Sequence, residues 1–335
     1  MLPCILGLSG PELTPAERAF FREAEPAGFI LFRRNCEDPG QLRALTDSLR
    51  DLSGRGDLPI LIDQEGGRIA RLRPPHWPDI PAPWRFAELY ARAPISALEA
   101  ARVNALAVGL TLAEAGINVA CQPVLDLRHP HAHGVIGERA LGGDPVQVAS
   151  LGRMVLEGLA EGGVAGVMKH MPGHGRASAD SHFELPVVDA SAQELEADFL
   201  PFRQLAGRAR IGMTAHIVYT AIDPDLPATL SPRVIAEVVR GAIGFEGLLL
   251  SDDLEMAALA GSFGERAQRA VAAGCDLVLH GSGVLEEGAQ VAEALPAISE
   301  AASARLTRAV PQAPQEAYPL EQLLAKRDAL LRAVE

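Results

Sequence analysis

The sequence contains little cysteine and no paired cysteine motif. Its four cysteines, Cys4, Cys36, Cys121 and Cys275, are widely spaced and form no C-x-x-C pair. This pattern is typical of buried, reduced thiols in an intracellular protein. It argues against a small scaffold that is held together by disulfides.

Positive charge is also scarce. The chain carries 30 Lys and Arg residues against 43 Asp and Glu residues, which gives a formal net charge of -13. Such a surface repels nucleic acid and anionic lipid, so we expect no nucleic-acid partner.

Long apolar runs are missing as well. No stretch reaches the roughly 18 uninterrupted apolar residues of a membrane span. The apolar start at Met1–Leu8 is too short for the core of a signal peptide and has no basic region. We therefore expect a cytoplasmic protein that does not insert into a membrane.

What the chain does contain is a repeating pattern of apolar runs. Of its 335 residues 48% are hydrophobic, and eight short apolar runs alternate with helical stretches. The runs lack a clear polar alternation, which is typical of strands buried on both faces. Eight such strands separated by helices predict an α/β protein with a closed (β/α)8 TIM barrel, and a doubly wound open sheet is the second choice. The runs are Pro3–Leu8, Gly28–Phe32, Pro59–Ile62, Asn118–Pro123, Val164–Met168, Ile211–Ala215, Gly247–Leu250 and Cys275–Leu279.

Helical patterns fill the segments between these runs, and no linker is visible. We therefore predict one catalytic domain over residues 1–335, with residues 296–335 as a helical C-terminal extension packed on it and a final helix from Leu320. The proline-rich segment Arg73–Pro94 is interpreted as inserted length. The predicted helices are Pro15–Glu25, Pro39–Leu52, Ile95–Ala115, Pro145–Glu161, Ser191–Ala206, Ser231–Ala242 and Gly264–Ala273.

Polar residues stand where six of the predicted strands end. In a barrel the carboxyl ends of all strands meet at one rim, where active sites lie. One such residue alone could be a helix cap, but six on one rim indicate a functional site. These residues are Asp63, Asp126, Lys169 with His170, His216, Asp252 and His280.

The densest polar segment is the loop that begins at Lys169-His170-Met171-Pro172-Gly173-His174-Gly175 and continues to Asp180-Ser181-His182. An aspartate two residues before a histidine can orient the imidazole and stabilise its cation, which favours acid/base chemistry. A metal site on His170, His174, Asp180 and His182 and a purely structural loop are the alternatives. The trio His129, His131 and His133 is interpreted as a polar surface loop, with a metal tract as the alternative.

Taken together, these segments resemble family 3 of the glycoside hydrolases, in particular the single-domain β-N-acetylglucosaminidases of Gram-negative peptidoglycan recycling. The resemblance covers about Ile5 to Gly281. Met171 departs from it, since the family usually has phenylalanine there, and Arg176–Ala179 is atypical. The motifs in family order are Asp63–Arg71, Pro123–Asp126, Ile136–Arg139, Lys169–Gly175, Asp180–His182, Met213–His216 and Ser251–Met256.

The resemblance implies roles for individual residues. Asp252 corresponds to the nucleophile, and His182 supported by Asp180 corresponds to the acid/base. The positions that match binders of the terminal N-acetylglucosamine are Asp63, Arg71, Arg139, Lys169 and His170.

The implied activity is that of a retaining exo-β-N-acetylglucosaminidase that acts on peptidoglycan-derived muropeptides through a covalent glycosyl-enzyme. No metal or organic cofactor is required, the partner is a small sugar or muropeptide, and we expect a monomer or a weak dimer. Aromatic residues make up only 4% of the chain, which argues against a long cleft lined with stacking platforms and favours a pocket for one terminal sugar.

Several alternatives remain open at this point. The same scaffold could serve a β-glucosidase or a glycoside phosphorylase, and the histidine loop could serve a zinc hydrolase. The acetamide of the substrate could replace Asp252 as the nucleophile. A sugar-binding barrel without catalysis is the non-enzymatic alternative.

Overall fold

Eight parallel strands close into a barrel in the computed structural model, which describes residues 1–130, 132–310 and 318–332. The prediction of a TIM barrel is confirmed, because the strands lie around the barrel in chain order and the last pairs with the first. The strands are β1 (Leu2–Gly7), β2 (Pro26–Leu31), β3 (Ile60–Ile62), β4 (Val119–Ala120), β5 (Ala165–Met171), β6 (Ile211–Thr214), β7 (Leu248–Asp253) and β8 (Leu277–His280).

Two strands end three residues later than the sequence predicts, and both carry candidate site residues. β5 continues to Met171 and β7 continues to Asp253, so Lys169, His170 and Asp252 belong to strands rather than to the loops behind them. The pairing register shifts just before each of these ends, between Met168 and Met171 and between Leu250 and Asp253. Such bulges often re-aim side chains next to active sites.

The outer layer consists of helices whose starts are set by local capping. In the first helix the Thr14 hydroxyl accepts the N–H of Glu17 at 3.1 Å while the Glu17 carboxylate accepts the N–H of Thr14 at 2.8 Å. The helices are Pro15–Ala24, Pro39–Ser53, Trp84–Arg92, Pro94–Glu114, Pro145–Glu161, Ala192–Leu205, the π-helix Val234–Ala242, Phe263–Ala273, Leu285–Ala294, Glu300–Ala309 and Leu320–Arg332.

The sequence did not reveal three of these helices as separate elements: Trp84–Arg92, Leu285–Ala294 and Glu300–Ala309. The first lies in the proline-rich insertion and packs on the helix Pro94–Glu114. That second helix is long and apolar enough to cross a membrane by composition, but 67% of its apolar window is buried inside the fold. Its apolarity is therefore explained by packing between neighbouring helices.

The two C-terminal helices contact different parts of the barrel. Leu306 and Ala309 pack among the side chains that fill the barrel interior. The last helix lies along Pro94–Glu114, where Arg327 donates to the Asp79 carbonyl at 3.0 Å and to Asn104 Oδ1 at 3.3 Å.

Candidate active site

A pocket opens at the carboxyl end of the barrel, above the apolar filling of its interior. Its cavity volume is about 120 Å³. Concave sites with a few converging polar groups are where small molecules bind. Part of the lining is apolar and consists of Ile30, Met213 and Leu279 from three strands and of Cys121, which directly follows β4. The remaining lining is Phe32, Asp63, Ile69, Arg71, Val135, Arg139, Lys169, His170, His174, Ser181, His182, Asp252, Asp253 and Met256.

One wall of the pocket is a cluster of five charged side chains. Lys169 Nζ lies 2.9 Å from Asp63 Oδ1 and 2.8 Å from Glu65 Oε1. Arg139 donates two hydrogen bonds of 2.8 Å to the two Glu65 oxygens, and Arg71 donates to Asp63 Oδ2 at 2.9 Å. Because each carboxylate is held by two cations, the donors are fixed before a ligand arrives.

The charges of this cluster are stable near neutral pH. Burial alone would raise the pKa of Glu65, but the Arg139 guanidinium and the Lys169 ammonium lower it to about 2. The pKa of Asp63 falls further below its usual range, since Lys169 and Arg71 outweigh its burial. Burial opposes the charge on Lys169, yet the two carboxylates raise its pKa above the ordinary value. Together these groups form a polar surface suited to sugar hydroxyls.

A buried aspartate behind the pocket orients two histidines. Asp126 Oδ2 lies 2.7 Å from His170 Nδ1, and Asp126 Oδ1 accepts the backbone N–H of His174 at 2.6 Å. Burial and the nearby His170 charge lower the pKa of His174 to about 4, so this imidazole is neutral. His170 is therefore held with its other ring nitrogen free for the pocket, whereas His174 supports the loop.

Asp252 presents a carboxylate to the pocket from the end of β7. Its Oδ1 accepts the backbone N–H of Asp253 at 2.9 Å, and the whole residue is 7% exposed. Burial would raise its pKa, but the charges of His170 and His216 and the N–H of Asp253 lower it. The group is an anion near neutral pH, which is the state that a nucleophile needs. His216 lies behind it and bonds through Nε2 to the Asp253 carbonyl at 2.9 Å.

The fourth component is the pair Asp180 and His182, on the loop that follows β5. Asp180 Oδ1 lies 2.7 Å from His182 Nδ1 and accepts the His182 backbone N–H at 3.0 Å. Partial burial would raise the pKa of Asp180, but these two groups of His182 lower it. An anionic Asp180 fixes a proton on Nδ1 and leaves Nε2 for proton exchange. The imidazole is half exposed, at 55% of its side-chain area.

Contacts with neighbouring loops hold this loop above the pocket. The carbonyls of Ser181 and His182 accept the N–H groups of Ala258 and Ala257 at 3.2 and 3.4 Å, which joins the loop to the segment after Asp252. Gly175 packs against the Leu127 carbonyl so closely that a side chain would have no room.

The base of the loop is held by a buried carboxylate on the helix Ala192–Leu205. Asp198 is 2% exposed and accepts from Arg176 Nε at 2.6 Å, and its other oxygen lies 2.9 Å from His129 Nε2. The backbone N–H of His133 bonds to the Ala177 carbonyl at 2.9 Å. The atypical Arg176 and the first histidine of the trio thus share one partner, while His131 lies outside the described residues.

Of the eight site residues predicted from the sequence, seven line the pocket and the eighth contacts one of these seven. Asp63, Arg71, Arg139, Lys169, His170, His182 and Asp252 all line the pocket, and Asp180 stands behind His182. His280 ends β8, as predicted, but its side chain does not line the pocket. In β8 it is Leu279 that faces the pocket, so the next side chain points outward, where it packs on Phe263 with ring centroids 4.7 Å apart.

Sequence reasoning assigned no role to several residues that shape the site. In the sequence Glu65 stands out only as a member of the motif Asp63–Arg71, and Asp126 only as a polar residue after a predicted strand. Phe32 and Met256 carry no sequence signal beyond proximity to a strand end or a motif. For the metal alternative, no group of three or more His, Cys, Asp or Glu residues that could hold an ion occurs within residues 1–130, 132–310 and 318–332.

Comparison with known proteins places this geometry in a family. The family model described as "Glycosyl hydrolase family 3 N terminal domain" matches residues 10–311. A β-hexosaminidase from Alkalilimnicola ehrlichii is 44% identical over 281 residues, which cover 83% of this chain and 80% of that protein. A β-hexosaminidase from Bordetella avium is 39% identical over 282 residues, which cover 83% and 79%.

Solved structures agree with the sequence relatives. The crystal structure of native NagZ from Neisseria gonorrhoeae matches with a TM-score of 0.86 and 31% identity, and the match covers 99% of this chain and 96% of that chain. NagZ from the same organism in complex with N-trifluoroacetyl-D-glucosamine matches with the same TM-score, 30% identity and the same coverage. The chain therefore belongs to glycoside hydrolase family 3 and is a glycosidase of the β-N-acetylhexosaminidase type.

Proposed function

We propose that the chain is a retaining exo-β-N-acetylglucosaminidase that releases the terminal non-reducing N-acetylglucosamine of peptidoglycan-derived muropeptides. The observation that carries the proposal is the meeting of an anionic carboxylate, Asp252, and an aspartate-backed imidazole, His182, in one pocket. These are the two groups that double displacement at a sugar requires.

In the first step a carboxylate oxygen of Asp252 attacks the anomeric carbon while the bond to the glycosidic oxygen breaks. His182 Nε2 donates its proton to the leaving oxygen, and Asp180 stabilises the imidazolium before that transfer. In the second step the neutral imidazole takes a proton from water, whose oxygen attacks the anomeric carbon and releases Asp252. The two inversions give net retention.

The fixed ionic wall supports recognition of one terminal sugar. Asp63, Arg71 and Lys169 place acceptors and donors next to Asp252 in a pocket of limited volume. The relative from Neisseria gonorrhoeae binds an N-acylated glucosamine analogue, which supports an N-acetylglucosaminyl ligand here. The muropeptide aglycone follows from the resemblance to the peptidoglycan-recycling enzymes.

We further propose that the enzyme acts in the cytoplasm, as a monomer or weak dimer. All four cysteines are buried free thiols, and burial raises the pKa of Cys4, Cys36 and Cys275 to about 12. Such thiols suit a reducing compartment.

The test is hydrolysis of an aryl N-acetyl-β-glucosaminide by the wild type and by Asp252→Asn. We expect the substitution to lower kcat by more than about 10³-fold, the scale of losing a nucleophile. Asp47→Asn is the matched control, because Asp47 is a half-exposed carboxylate on the outer helix Pro39–Ser53. Equal activity of the wild type and Asp252→Asn would contradict the assignment.

Two further measurements separate the remaining mechanisms. Proton NMR of the first product should show the β-anomer, and a 5-fluoro N-acetylglucosaminyl fluoride should add one glycosyl mass to Asp252 in intact-protein and peptide mass spectra. Retention without that adduct would point to the substrate acetamide as nucleophile. Formation of N-acetylglucosamine 1-phosphate in phosphate buffer would show a phosphorylase instead.

A further inference from the structure

Exposed apolar side chains are concentrated directly behind the acid/base residue. Phe183 is 80% exposed, Leu185 38% and Val187 47%. These three supply half of the six large hydrophobic side chains that are exposed across residues 1–130, 132–310 and 318–332. Single exposed apolar residues need no explanation, but a contiguous group often marks a binding surface.

Backbone hydrogen bonds fix this segment at both ends. The N–H groups of Phe183 and Glu184 bond to the Asp180 carbonyl at 3.0 and 3.1 Å. Further along, the Pro186 carbonyl accepts the N–H of Val218 at 3.0 Å, and Val187–Val188 pairs with Val218–Tyr219 as a short parallel sheet. The exposure of Phe183 is therefore built into the fold rather than the result of an unattached segment.

The position of Phe183 follows from its neighbour. Its ring centroid lies 6.5 Å from that of the His182 imidazole. A general acid must reach the oxygen of the bond that breaks, so the leaving group lies beside His182. Under the proposed function the non-reducing sugar occupies the pocket that His182 lines. Phe183 lies outside that lining and is the aromatic side chain beside His182.

We propose that Phe183, flanked by Leu185, is the platform on which the aglycone of the substrate packs. The ligand of this platform is the apolar C–H face of the first sugar on the leaving-group side of the glycosidic bond. The inference rests on the proposed function, because it takes His182 as the acid. It makes Phe183 a specificity-determining residue for the aglycone sugar, on the leaving-group side of the bond. The ionic cluster around Lys169 acts instead on the terminal N-acetylglucosamine, on the non-reducing side.

The experiment compares two substrates that share the same glycosyl group. Di-N-acetylchitobiose carries a leaving sugar, whereas N-acetyl-β-glucosaminyl fluoride has none to pack on Phe183. For Phe183→Ala we expect kcat/KM on the disaccharide to fall about tenfold, mainly through a higher KM, which is the scale of one partly buried aromatic contact. The fluoride should be hydrolysed within twofold of the wild-type rate.

Two control variants complete the design. Phe183→Tyr keeps the aromatic face and should restore both substrates to within twofold of wild type. Ile95→Ala removes another exposed apolar side chain, 85% exposed and outside the pocket lining, and should change neither substrate.

The possible outcomes are distinct. Unchanged disaccharide kinetics in Phe183→Ala would overturn the platform. A loss on the disaccharide that appears in kcat with KM unchanged would also overturn it, because the residue would then act by holding His182 in place for proton donation. An equal loss on both substrates would overturn it as well, because the effect would then lie on the shared glycosyl group or on the fold. A wild type that hydrolyses neither substrate would reject the proposed function itself, and the platform with it.

Discussion

Glu65 offers the sharpest test of how the pocket wall is held together. Its side chain is 1% exposed and receives hydrogen bonds of 2.8 Å from Arg139 Nε and Nη2, while Lys169 Nζ lies 2.8 Å from Oε1. Replacing it by glutamine keeps the shape but removes the negative charge. The cluster would then hold three cations against the single anion Asp63, and Lys169 and Arg139 among them are largely buried.

The size of the effect follows from the pKa of Glu65. The cations lower it from 4.5 to about 2, and a change of that size corresponds to about 3 kcal/mol of folding free energy. Removal of one partner from a buried ion pair costs about 3–5 kcal/mol in other proteins. We therefore expect Glu65→Gln to lower the free energy of unfolding by about 3 kcal/mol at pH 7.

The stabilisation of the fold by Glu65 depends on pH. A group whose pKa is lowered in the fold stabilises it fully above the unfolded value and loses that effect as the pH falls towards the folded value. For Glu65 the window runs from about 5 down to about 2. The gap between wild type and variant should thus be constant from pH 8 to 6 and smaller by about 1 kcal/mol at pH 4.

The assay is urea unfolding followed by tryptophan fluorescence, since Trp77 and Trp84 lie in the segment that follows the Glu65 turn. Glu138→Gln is the matched control, because its carboxylate is 43% exposed and its ion pair with Arg68 is 4.0 Å long. Exposed pairs of this kind contribute about 0–1 kcal/mol. If Glu65→Gln were no more destabilising than this control, the ionic wall would not be the rigid element inferred here.

Three further outcomes are expected. Asp180→Asn should lower kcat/KM by about 10²–10⁴-fold on substrates with poor leaving groups and much less on activated aryl glycosides, because the His182 imidazolium loses the carboxylate that stabilises it. Equal losses on both kinds of substrate would exclude this role. Asp198→Asn should destabilise the fold by about 1–3 kcal/mol, because its partners Arg176 and His129 are partly exposed. It should also speed limited proteolysis of residues 172–182, whereas Glu196→Gln on the exposed face of the same helix should do neither. Burial, with the nearby Asp252 and Glu255 charges, raises the pKa of Asp253 from 3.8 to about 7. The unfolded chain loses this proton first, so the wild type loses stability as the pH rises from about 4 to about 7. The Tm of Asp253→Asn should therefore gain about 2 °C or more on wild type between pH 5 and 8, and a constant difference would refute the shift.

The sequence was sufficient to predict the barrel and the rim because both depend on local order. Eight apolar runs in sequence identified the strands, and polar residues at their carboxyl ends identified the rim. Asp252 and Lys169 could be selected in this way although the exact strand ends were missed. The parallel topology brings strand ends together irrespective of the loop lengths between them.

What escaped prediction depends on register and on distant partners. At the register shift in β7 the consecutive residues Asp252 and Asp253 both line the pocket, which regular alternation does not predict. Alternation along β8 turns His280 away from it. Asp198 lies on a helix with no motif, and its link to Arg176 and His129 appears only when three separate segments pack together. Local patterns do not encode such contacts, whose energy comes from burial of the shared carboxylate.

The site thus combines two parts with different physical support. Lys169, at 3% exposure, sits within a barrel strand and is held by two carboxylates, so the ionic wall cannot rearrange without breaking buried ion pairs. His182 is half exposed on a loop and held by Asp180 and by two backbone hydrogen bonds to the segment after Asp252. Rigid placement suits recognition of a fixed hydroxyl pattern. In the proposed mechanism, the proton donor must admit the leaving sugar and then water along the same path. A rigid wall with a more lightly held acid/base group is therefore the arrangement that the proposed two-step displacement requires.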